Sequence, residues 1–409
     1  MKRIVVIGGG AAGLVASIFA SQNDNEVILL EKNNVCGKKI LMTGNGKCNY
    51  FNDDFAIEHY RSNNLNILEK IITEENKAKV LHFFDSIGII PKIKNGYYYP
   101  CSEQALSIRD ALVLQAKLVG VDIRNNVEVL DIEYKNNKFI ITTSVGEIKA
   151  DNVILASGSK AAPNTGSDGF GYEIAKKFGH TIITPLPALV QLQGIGNYFK
   201  DWAGVRSDVI VSLYEDDKKI AEEAGEIQLT DYGISGICVF QFSGRVARGI
   251  AKLKTERVLI NFLPWLAVKN IDDLVKWLTE RNKKIKKRTI AQLLNGMLNH
   301  KLVNVLLNKC KIVKNKQWDD LTSEQKKAIA TNFISFPLTI KGTNSFDKAQ
   351  VCSGGIPLNE INIKTMESLK QKGLYLVGEI LDVDGECGGY NLGFAWLSGI
   401  LAGIDVSKQ

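Results

Sequence analysis

The first thirty-one residues restrict the possible folds more than any other part of the chain. They read MKRIVVIGGGAAGLVASIFASQNDNEVILLE: an apolar run, a glycine-rich turn, a stretch of small residues and a second apolar run. Gly8, Gly10 and Gly13 give the spacing G-x-G-x-x-G, which allows a tight turn and the close approach of a pyrophosphate to a helix N-terminus. Glu31 ends the second run, where a carboxylate can accept hydrogen bonds from ribose hydroxyls. The segment therefore predicts a strand–helix–strand unit that binds a dinucleotide.

A secretory signal is the competing interpretation of this segment, because Lys2 and Arg3 precede an apolar run and Ala20 is small. Three consecutive glycines, and the strand that follows the helix at once, argue against it. No stretch of the chain is apolar for long enough to cross a bilayer. The seven cysteines include no C-x-x-C pair, which indicates reduced thiols and no metal site. We therefore expect a cytoplasmic protein with no membrane partner.

The composition is typical of a soluble enzyme with more than one domain. Hydrophobic residues make up 45% of the 409 positions, which is enough to build full cores. The net charge of +7 is a mild excess that attracts anions but does not require nucleic acid. The basic run at 281–288 is expected to be the solvated face of a helix. We accordingly expect a small-molecule substrate and no nucleic acid partner, and the oligomeric state stays open.

The C-terminal stretch 373–403, GLYLVGEILDVDGECGGYNLGFAWLSGILAG, carries the second strong pattern. The apolar run Leu374–Val377 resembles a buried parallel strand, and the acidic, glycine-rich loop Glu379–Gly389 follows it. A helix of small apolar residues then opens near Asn391. A loop that leads into a helix N-terminus presents free backbone N–H groups and the positive end of the helix dipole. Both ends of the chain therefore contribute to one predicted nucleotide-binding domain.

The middle of the chain predicts an insertion into that domain. The other expected elements are helices at Leu65–Ile87 and Ser102–Val119 (capped by Ser102), a meander at Val121–Ala150, strands at Asn152–Gly158, Asp208–Tyr214, Ile237–Phe242 and Ile334–Ile340, and a helical region at 270–332. We expect an α/β protein whose Rossmann-like domain comprises residues 1–189 and 346–409. The inserted domain, 190–345, would hold a β-barrel part at about 190–265 and 334–345 and a helical part at about 266–333.

Four segments together resemble the BaiN-like flavoproteins, also known as the aminoacetone-oxidase family, which have the glutathione-reductase type of FAD fold. The segments are Val6–Gly13, Gly37–Asn52 (GKKILMTGNGKCNYFN), Gly225–Ser243 (GEIQLTDYGISGICVFQFS) and the stretch from Ala349 through Gly403. Ile154–Gly169, ILASGSKAAPNTGSDG, supports them. The resemblance implies non-covalently bound FAD, an inserted domain that forms the substrate cleft, and redox chemistry at the flavin.

The resemblance also implies which residues hold FAD. The glycine turn would hold the pyrophosphate, Glu31 the adenosine ribose, and the start of the last helix the flavin pyrimidine edge. Asp382 would accept hydrogen bonds from the ribityl hydroxyls, whereas Asp384 and Glu386 would be solvated. The candidate cofactor-binding residues are Gly8, Gly10, Ala11, Ala12, Gly13, Glu31, Lys32, Lys39, Gly44, Asn45, Gly46, Cys48, Asn49, Val129, Ala156, Ser157, Gly158, Gly378, Glu379, Asp382, Gly388, Gly389, Tyr390 and Asn391.

The sequence identifies the reaction less closely than it identifies the cofactor. There is one G-x-G-x-x-G, so NAD(P)H would be a transient electron donor without a Rossmann domain of its own, or another donor would replace it. Tyr232 and Tyr390 are the candidate proton donors. The resemblance favours an enzyme that reduces the double bond of an enone, such as a steroid or a bile acid. Two alternatives stay open: an oxidase of a small amine such as aminoacetone that releases peroxide, and a redox sensor without turnover.

Overall fold

The computed structural model describes residues 1–285 and 287–409, which divide into two compact units. Unit 1 comprises Met1–Ala188 and Phe346–Gln409, and unit 2 comprises Leu189–Ser345. Residue 286, one of the basic run predicted to be a solvated helix face, lies outside the described residues.

The strands, in chain order, are β1 Arg3–Ile7, β2 Glu26–Glu31, β3 Phe51–Asn52, β4 Tyr60–Arg61, β5 Pro91–Lys94, β6 Tyr97–Pro100, β7 Asp122–Asn125, β8 Val129–Lys135, β9 Lys138–Thr143, β10 Gly146–Ala150, β11 Asn152–Leu155, β12 Ile183–Ala188, β13 Leu192–Gly194, β14 Arg206–Glu215, β15 Lys218–Leu229, β16 Gly233–Ser235, β17 Glu256–Asn261, β18 Phe336–Thr343, β19 Val351–Gly355, β20 Ile361–Asn362, β21 Glu367–Ser368, β22 Leu374–Leu376 and β23 Asp384–Gly385. The helices are α1 Ala11–Ala20, α2 Leu65–Leu68, α3 Glu74–Ser86, α4 Ala105–Leu118, α5 Phe170–Lys177, α6 Phe199–Trp202, α7 Ile237–Ala251, α8 Ile271–Lys284, α9 Ile290–Leu294, α10 His300–Lys309, α11 Ser323–Ile334 and α12 Tyr390–Val406. None of these helices has the length and apolar character to cross a membrane.

Unit 1 is built on a seven-stranded sheet in the order β20-β21-β22-β11-β1-β2-β7. The five strands from β22 to β7 are parallel neighbours, and β20 and β21 add an antiparallel edge. Ile4, Val5 and Val6 of β1 have no exposed surface, as expected for a parallel strand that is covered on both faces. The structure therefore confirms the predicted α/β fold, in which strands from both ends of the chain share one sheet.

Helices α1 and α12 pack closely because their contact surface is made of small residues. A Cβ built on Gly399 would lie 2.5 Å from the Ala12 carbonyl oxygen, and one built on Gly403 would lie 2.7 Å from the Ala16 carbonyl oxygen. Neither glycine can therefore be replaced without moving the helices apart. This packing fixes the N-termini of the two helices relative to the sheet.

Three predictions for unit 1 were wrong in detail. The helix expected over Leu65–Ile87 is two helices, because Thr73 caps a new one: its Oγ1 accepts a hydrogen bond from Asn76 N at 3.2 Å. Ser102 is not an N-cap, since its hydroxyl bonds to the Ser107 hydroxyl at 2.7 Å and α4 starts after Gln104. The predicted meander begins at β8, because β7 pairs with β2 in the parallel sheet.

Unit 2 contains a closed six-stranded barrel, β13-β16-β15-β14-β17-β18, which confirms the predicted barrel. Val209, Val211 and Leu213 of β14 are buried and alternate with more exposed neighbours, so one face of the strand lines the barrel core. The segment expected to be a strand at Ile237–Phe242 is instead the start of helix α7. The buried residues of α7 recur three or four positions apart, as in a helix. The apolar run at its start is too short for this helical period to be recognised in the sequence.

Candidate cofactor and active site

The glycine-rich turn between β1 and α1 contains two kinds of glycine. Gly8 has φ +102°, and a Cβ built on Gly13 would lie 1.9 Å from the Gly8 carbonyl oxygen, so the fold itself requires both. Gly10 differs, because a Cβ there meets no atom of the described residues within 4 Å. Gly10 precedes α1 and caps it without a side chain, so the helix N-terminus stays open to a ligand.

Glu31 lies beneath this turn and is 8% exposed. Its Oε2 accepts a hydrogen bond from Gly9 N at 2.8 Å, and Oε1 accepts from Asn33 N at 2.8 Å and from Asn33 Nδ2 at 2.7 Å. The carboxylate thus holds the turn and the start of the next loop. The Glu31 carbonyl oxygen also accepts from Val127 N at 3.0 Å, which brings the chain just before Val129 and β8 to the same place.

Candidate residues from distant parts of the chain meet where the parallel strands end. A Cβ on Gly8 would lie 2.5 Å from the Ala156 carbonyl oxygen, and one on Gly378 would lie 2.9 Å from Ala12 Cβ. The predicted residues after β1, β11 and β22 therefore share one edge of the sheet. In open α/β sheets, ligands bind at this carboxyl edge.

A half-buried ion pair joins Lys39 and Glu379, 340 positions apart, with 2.6 Å between Nζ and Oε2. Glu379 Oε1 accepts hydrogen bonds from Ser159 Oγ at 2.7 Å and from Cys352 N at 3.0 Å. Lys32 pairs in the same way with Asp168, at 2.6 Å. The structure thus brings two predicted cofactor residues, Lys39 and Glu379, into direct contact.

The segment from Gly44 to Asn49 is irregular and tightly folded. Gly44 and Asn45 have φ of +55° and +53°, and Cys48 has φ +55°, so the backbone is left-handed at three positions of this short segment. When its amide is oriented to satisfy both groups, Asn49 donates to the Phe51 and Tyr98 carbonyl oxygens at 2.9 and 3.2 Å. Burial raises the pKa of Cys36 and of Cys48 to about 12, so both are inert thiols.

The second glycine pair leads into α12, which begins at Tyr390, one residue before the predicted start. A Cβ on Gly389, which has φ +94°, would lie 2.5 Å from the Phe51 carbonyl oxygen. The Asn391 side chain closes the preceding loop, since it accepts from Gly385 N and donates to Gly385 O, each at 2.8 Å. These contacts fix the loop that was predicted to face the flavin.

The three carboxylates of that loop all have protein partners. Asp382 is fully buried, and its Oδ2 accepts from Asn63 N at 2.8 Å. Asp384 accepts from Ser353 Oγ at 2.8 Å, and Glu386 Oε1 lies 2.6 Å from Arg61 Nη2. The expectation that Asp384 and Glu386 are merely solvated was therefore wrong, because both tie the loop to neighbouring segments.

The two candidate proton donors belong to different units. Tyr390 in unit 1 is 5% exposed, and its ring stacks on the His59 ring with 4.5 Å between centroids. Tyr232 in unit 2 is half-buried between β15 and β16, and its carbonyl oxygen accepts from Gly194 N at 2.9 Å. Their roles stay predictions.

Comparison with known proteins identifies the family. Residues 2–405 match the model described as the HI0933-like protein Rossmann domain. The chain belongs to this family. It is 39% identical to the 3-dehydro-bile acid delta(4,6)-reductase of Clostridium scindens, over 100% of both chains. It is 28% identical to the ribosomal RNA dihydrouridine synthase of Haemophilus influenzae, over 99% of this chain and 98% of that protein.

Among solved structures, the open conformation of a flavocytochrome c3 fumarate reductase matches with a TM-score of 0.50. The two are 16% identical, and the match covers 100% of this chain and 78% of the other, which is a likeness of fold alone. Membership of the family and the 39% identity to a reductase over the whole chain confirm the predicted class, a flavin-dependent oxidoreductase.

The residues at the sheet edge fit a flavin dinucleotide. The open space above Gly10 is the place where a pyrophosphate can approach α1. The Tyr172 hydroxyl, which is 1% exposed, has no hydrogen-bond partner among residues 1–285 and 287–409. Burial raises the pKa of Tyr172 well above its usual value, and Cys352, Glu379 and Asp382 add to this effect. The tyrosine is therefore a neutral donor near two of the candidate cofactor residues.

Sequence reasoning missed Tyr172, Ser159 and His59. Ser159 directly follows the predicted strand end at Ala156–Gly158, and Tyr172 comes later, in α5, but nothing in their spacing indicates a site. His59 lies in a segment with no glycine or amide pattern. Across the described ranges, no three His, Cys, Asp or Glu side chains come together in a way that could hold a metal ion.

Proposed function

We propose that the protein is an FAD-dependent reductase of a carbon–carbon double bond conjugated to a ketone, in a steroid, a bile acid or another enone. The observation that carries this proposal is the 39% identity, over the whole of both chains, to a reductase of a 3-dehydro bile acid. The words "3-dehydro" and "delta(4,6)" describe a ketone and the double bonds conjugated to it. We further expect the protein to act in the cytoplasm.

We propose that unit 1 binds FAD non-covalently. Gly10 and the N-terminus of α1 would hold the pyrophosphate, because backbone N–H groups and the helix dipole favour an anion there. Glu31 would accept from the ribose, Asp382 from the ribityl hydroxyls, and the Lys39–Glu379 pair would lie beside the chain between them. The backbone at Gly388–Asn391 would present N–H groups to the flavin pyrimidine edge.

Reduced FAD, when bound, supplies a hydride from N5 to the β-carbon of the enone. Tyr390 would hold a proton at its hydroxyl and donate it to the α-carbon, with Tyr232 as the other candidate. A hydrogen-bond donor near the substrate ketone would stabilise the charge that develops on its oxygen. We propose that NAD(P)H visits transiently as electron donor, and that unit 2 supplies further substrate-binding residues.

Anaerobic single-turnover kinetics test this function. The purified protein is reduced with dithionite without oxygen, and its reoxidation is followed after addition of an enone panel or of air. Fast reoxidation by an enone, with the saturated ketone as product, supports the reductase. Fast reoxidation by air with peroxide release, and slow reaction with every enone, would instead support an amine oxidase. No reaction with either would leave a redox sensor.

A pyrimidine in RNA is a second candidate substrate. In uridine the C5=C6 double bond is conjugated to a carbonyl, and dihydrouridine is the product in which this double bond has been reduced, so the chemistry is of the same kind. Two observations favour it: the 28% identity to a ribosomal RNA dihydrouridine synthase, and the 15 Lys and Arg against 6 Asp and Glu in residues 266–333. RNA binding would show as an affinity that falls steeply with salt, and dihydrouridine would form in transcripts incubated with the reduced protein. Salt-independent, weak RNA binding would remove this candidate.

A further inference from the structure

The hydrogen bonds of His59 in unit 1 fix its charge. Its Nδ1 lies 2.9 Å from Glu386 Oε2, and its Nε2 lies 2.8 Å from Asp54 Oδ2. An ionised carboxylate only accepts hydrogen bonds, so each ring nitrogen must carry a hydrogen. Arg61 Nη2 lies 2.6 Å from the other Glu386 oxygen, so the same carboxylate also pairs with a guanidinium. His59 is therefore an imidazolium ion.

This imidazolium stacks on Tyr390. The two ring planes are 21° apart, with 4.5 Å between their centroids. Tyr60 packs edge-on against the same phenol at 5.8 Å, and its hydroxyl donates to the Tyr390 carbonyl oxygen at 3.1 Å. The backbone reinforces the arrangement, since Glu386 N donates to the His59 carbonyl oxygen at 2.9 Å. The Tyr390 ring is thus held between a cation on its face and an aromatic edge.

The charges around the phenol would hinder proton release without this cation. Burial raises the pKa of Tyr390, and Asp54, Glu386 and Tyr97 raise it further. His59 bonds to both of those carboxylates, so its positive charge opposes theirs. Burial lowers the pKa of His59, but the hydrogen bonds and charges of Glu386 and Asp54 outweigh it, and the net change is upward.

We propose that His59 is a positioning residue for Tyr390: its cationic ring orients the phenol by stacking and offsets the two carboxylates, so that the hydroxyl can give up its proton. The inference rests on the proposed function, in which Tyr390 protonates the α-carbon of the substrate. In that step the O–H bond of Tyr390 breaks, a C–H bond forms, and the phenolate that results lies against the imidazolium until water returns a proton. A cation over an aromatic face stabilises the negative charge on the ring.

Four variants test the proposal. His59→Gln removes both ring and charge, His59→Phe keeps a ring without the charge, Tyr390→Phe removes the proton donor, and His82→Gln on the exposed side of α3 is the matched control. Reoxidation of the reduced protein by an enone is measured from pH 6 to 9. We expect the rate of reoxidation to fall by about tenfold or more in both His59 variants, as for partial loss of a general acid. The rate of the His82→Gln control should be unchanged. The wild-type rate should fall as His59 loses its proton, whereas the His59→Phe rate should lack that step.

The double variant His59→Gln/Tyr390→Phe separates the possible failures. If His59 acts through Tyr390, its replacement costs nothing further in the Tyr390→Phe background. An effect of Tyr390→Phe without an effect of His59→Gln would refute the role of His59 and leave the donor in place. No effect of Tyr390→Phe would refute both. In the cofactor-free protein, NMR should show both His59 nitrogens protonated above pH 6.5, and Asp54→Asn should shift that titration to lower pH; an unshifted, ordinary titration would also refute the proposal.

Discussion

Replacing Glu256 by glutamine should stabilise unit 2 at pH 8 by about 2–3 kcal/mol. Glu256 starts β17 and is 1% exposed, and neither carboxylate oxygen has a hydrogen-bond partner in the described part of the chain. It lies opposite Glu215 in the barrel register, and Lys254 pairs with Glu215. Burial first, and then the charges of Glu215 and Asp216, raise the pKa of Glu256 from 4.5 to about 7.

The sign and size follow from the two protonation states. Below pH 4.5 the carboxyl group is neutral in the folded and the unfolded protein, and its contribution to stability is fully present. Between pH 4.5 and about 7 the unfolded chain loses the proton while the folded one keeps it, so stability falls as the pH rises. A pKa unit corresponds to about 1.4 kcal/mol, which gives about 3 kcal/mol at most. Glutamine has the same shape and no proton to lose, so the variant avoids this loss.

Denaturant unfolding at pH 5, 6, 7 and 8 measures the effect. Four of the five tryptophans, Trp202, Trp265, Trp277 and Trp318, lie in unit 2, so tryptophan fluorescence reports mainly on it. Glu222→Gln on β15 is the control, because hydrogen bonds from Lys219 and Ser212 lower the pKa of that carboxylate. The Glu256→Gln difference should grow with pH, and the control difference should stay flat. A Glu256→Gln difference that does not change from pH 5 to 8 would refute the reasoning.

Three further predictions concern the cofactor and the proton donors. Gly10→Val should abolish FAD retention at unchanged thermal stability, since a Cβ at Gly10 meets no atom of the described chain within 4 Å. Gly13→Ala should lower both FAD retention and thermal stability. Full flavin absorbance in purified Gly10→Val would mean that the phosphate binds elsewhere. Asp382→Asn should cost about 1.5–3 kcal/mol of FAD affinity, a roughly tenfold to hundredfold higher Kd. Asp384→Asn and Glu386→Gln should lower the melting temperature of the protein and change the Kd for FAD little. Equal, small losses of affinity in all three variants would mean that the backbone alone binds the flavin. Tyr390→Phe and Tyr232→Phe should each keep full FAD content, and the one that slows reoxidation by an enone is the donor; unaltered kinetics in both would leave water in that role.

The parallel sheet could be predicted because its strands are continuous apolar runs with distinct ends. The strand at Val6 is followed by three consecutive glycines and a second strand, which argue against the competing secretory signal, and Leu374–Val377 has the same apolar character at the other end of the chain. The segments at Leu65–Ile87 and Ile237–Phe242 were harder. In the first, a single threonine cap decided the break, and in the second, a six-residue segment with five apolar residues did not distinguish a helix from a strand.

The contacts between distant side chains could not be predicted from the sequence. Lys39 and Glu379 were each predicted near the cofactor, but nothing in a single sequence shows that residues so far apart form an ion pair. The same is true of Glu386, whose carboxylate looks like one of three in an acidic loop and is bound by Arg61 and His59. Such contacts depend on which segments the fold brings together, and the local composition of a segment does not show which other segments it will contact.

The division of unit 1 between the two ends of the chain has a consequence for synthesis on the ribosome. The barrel unit is complete once residue 345 has emerged, whereas β22 and α12 arrive only with residues 374–406. Until then β11 has an open sheet edge, and the small-residue face of α1 that α12 covers is bare. Nascent chains stalled or cut before residue 374 should therefore contain a folded barrel unit and an incomplete sheet with exposed apolar surface, and should be preferred clients of chaperones that bind such surfaces.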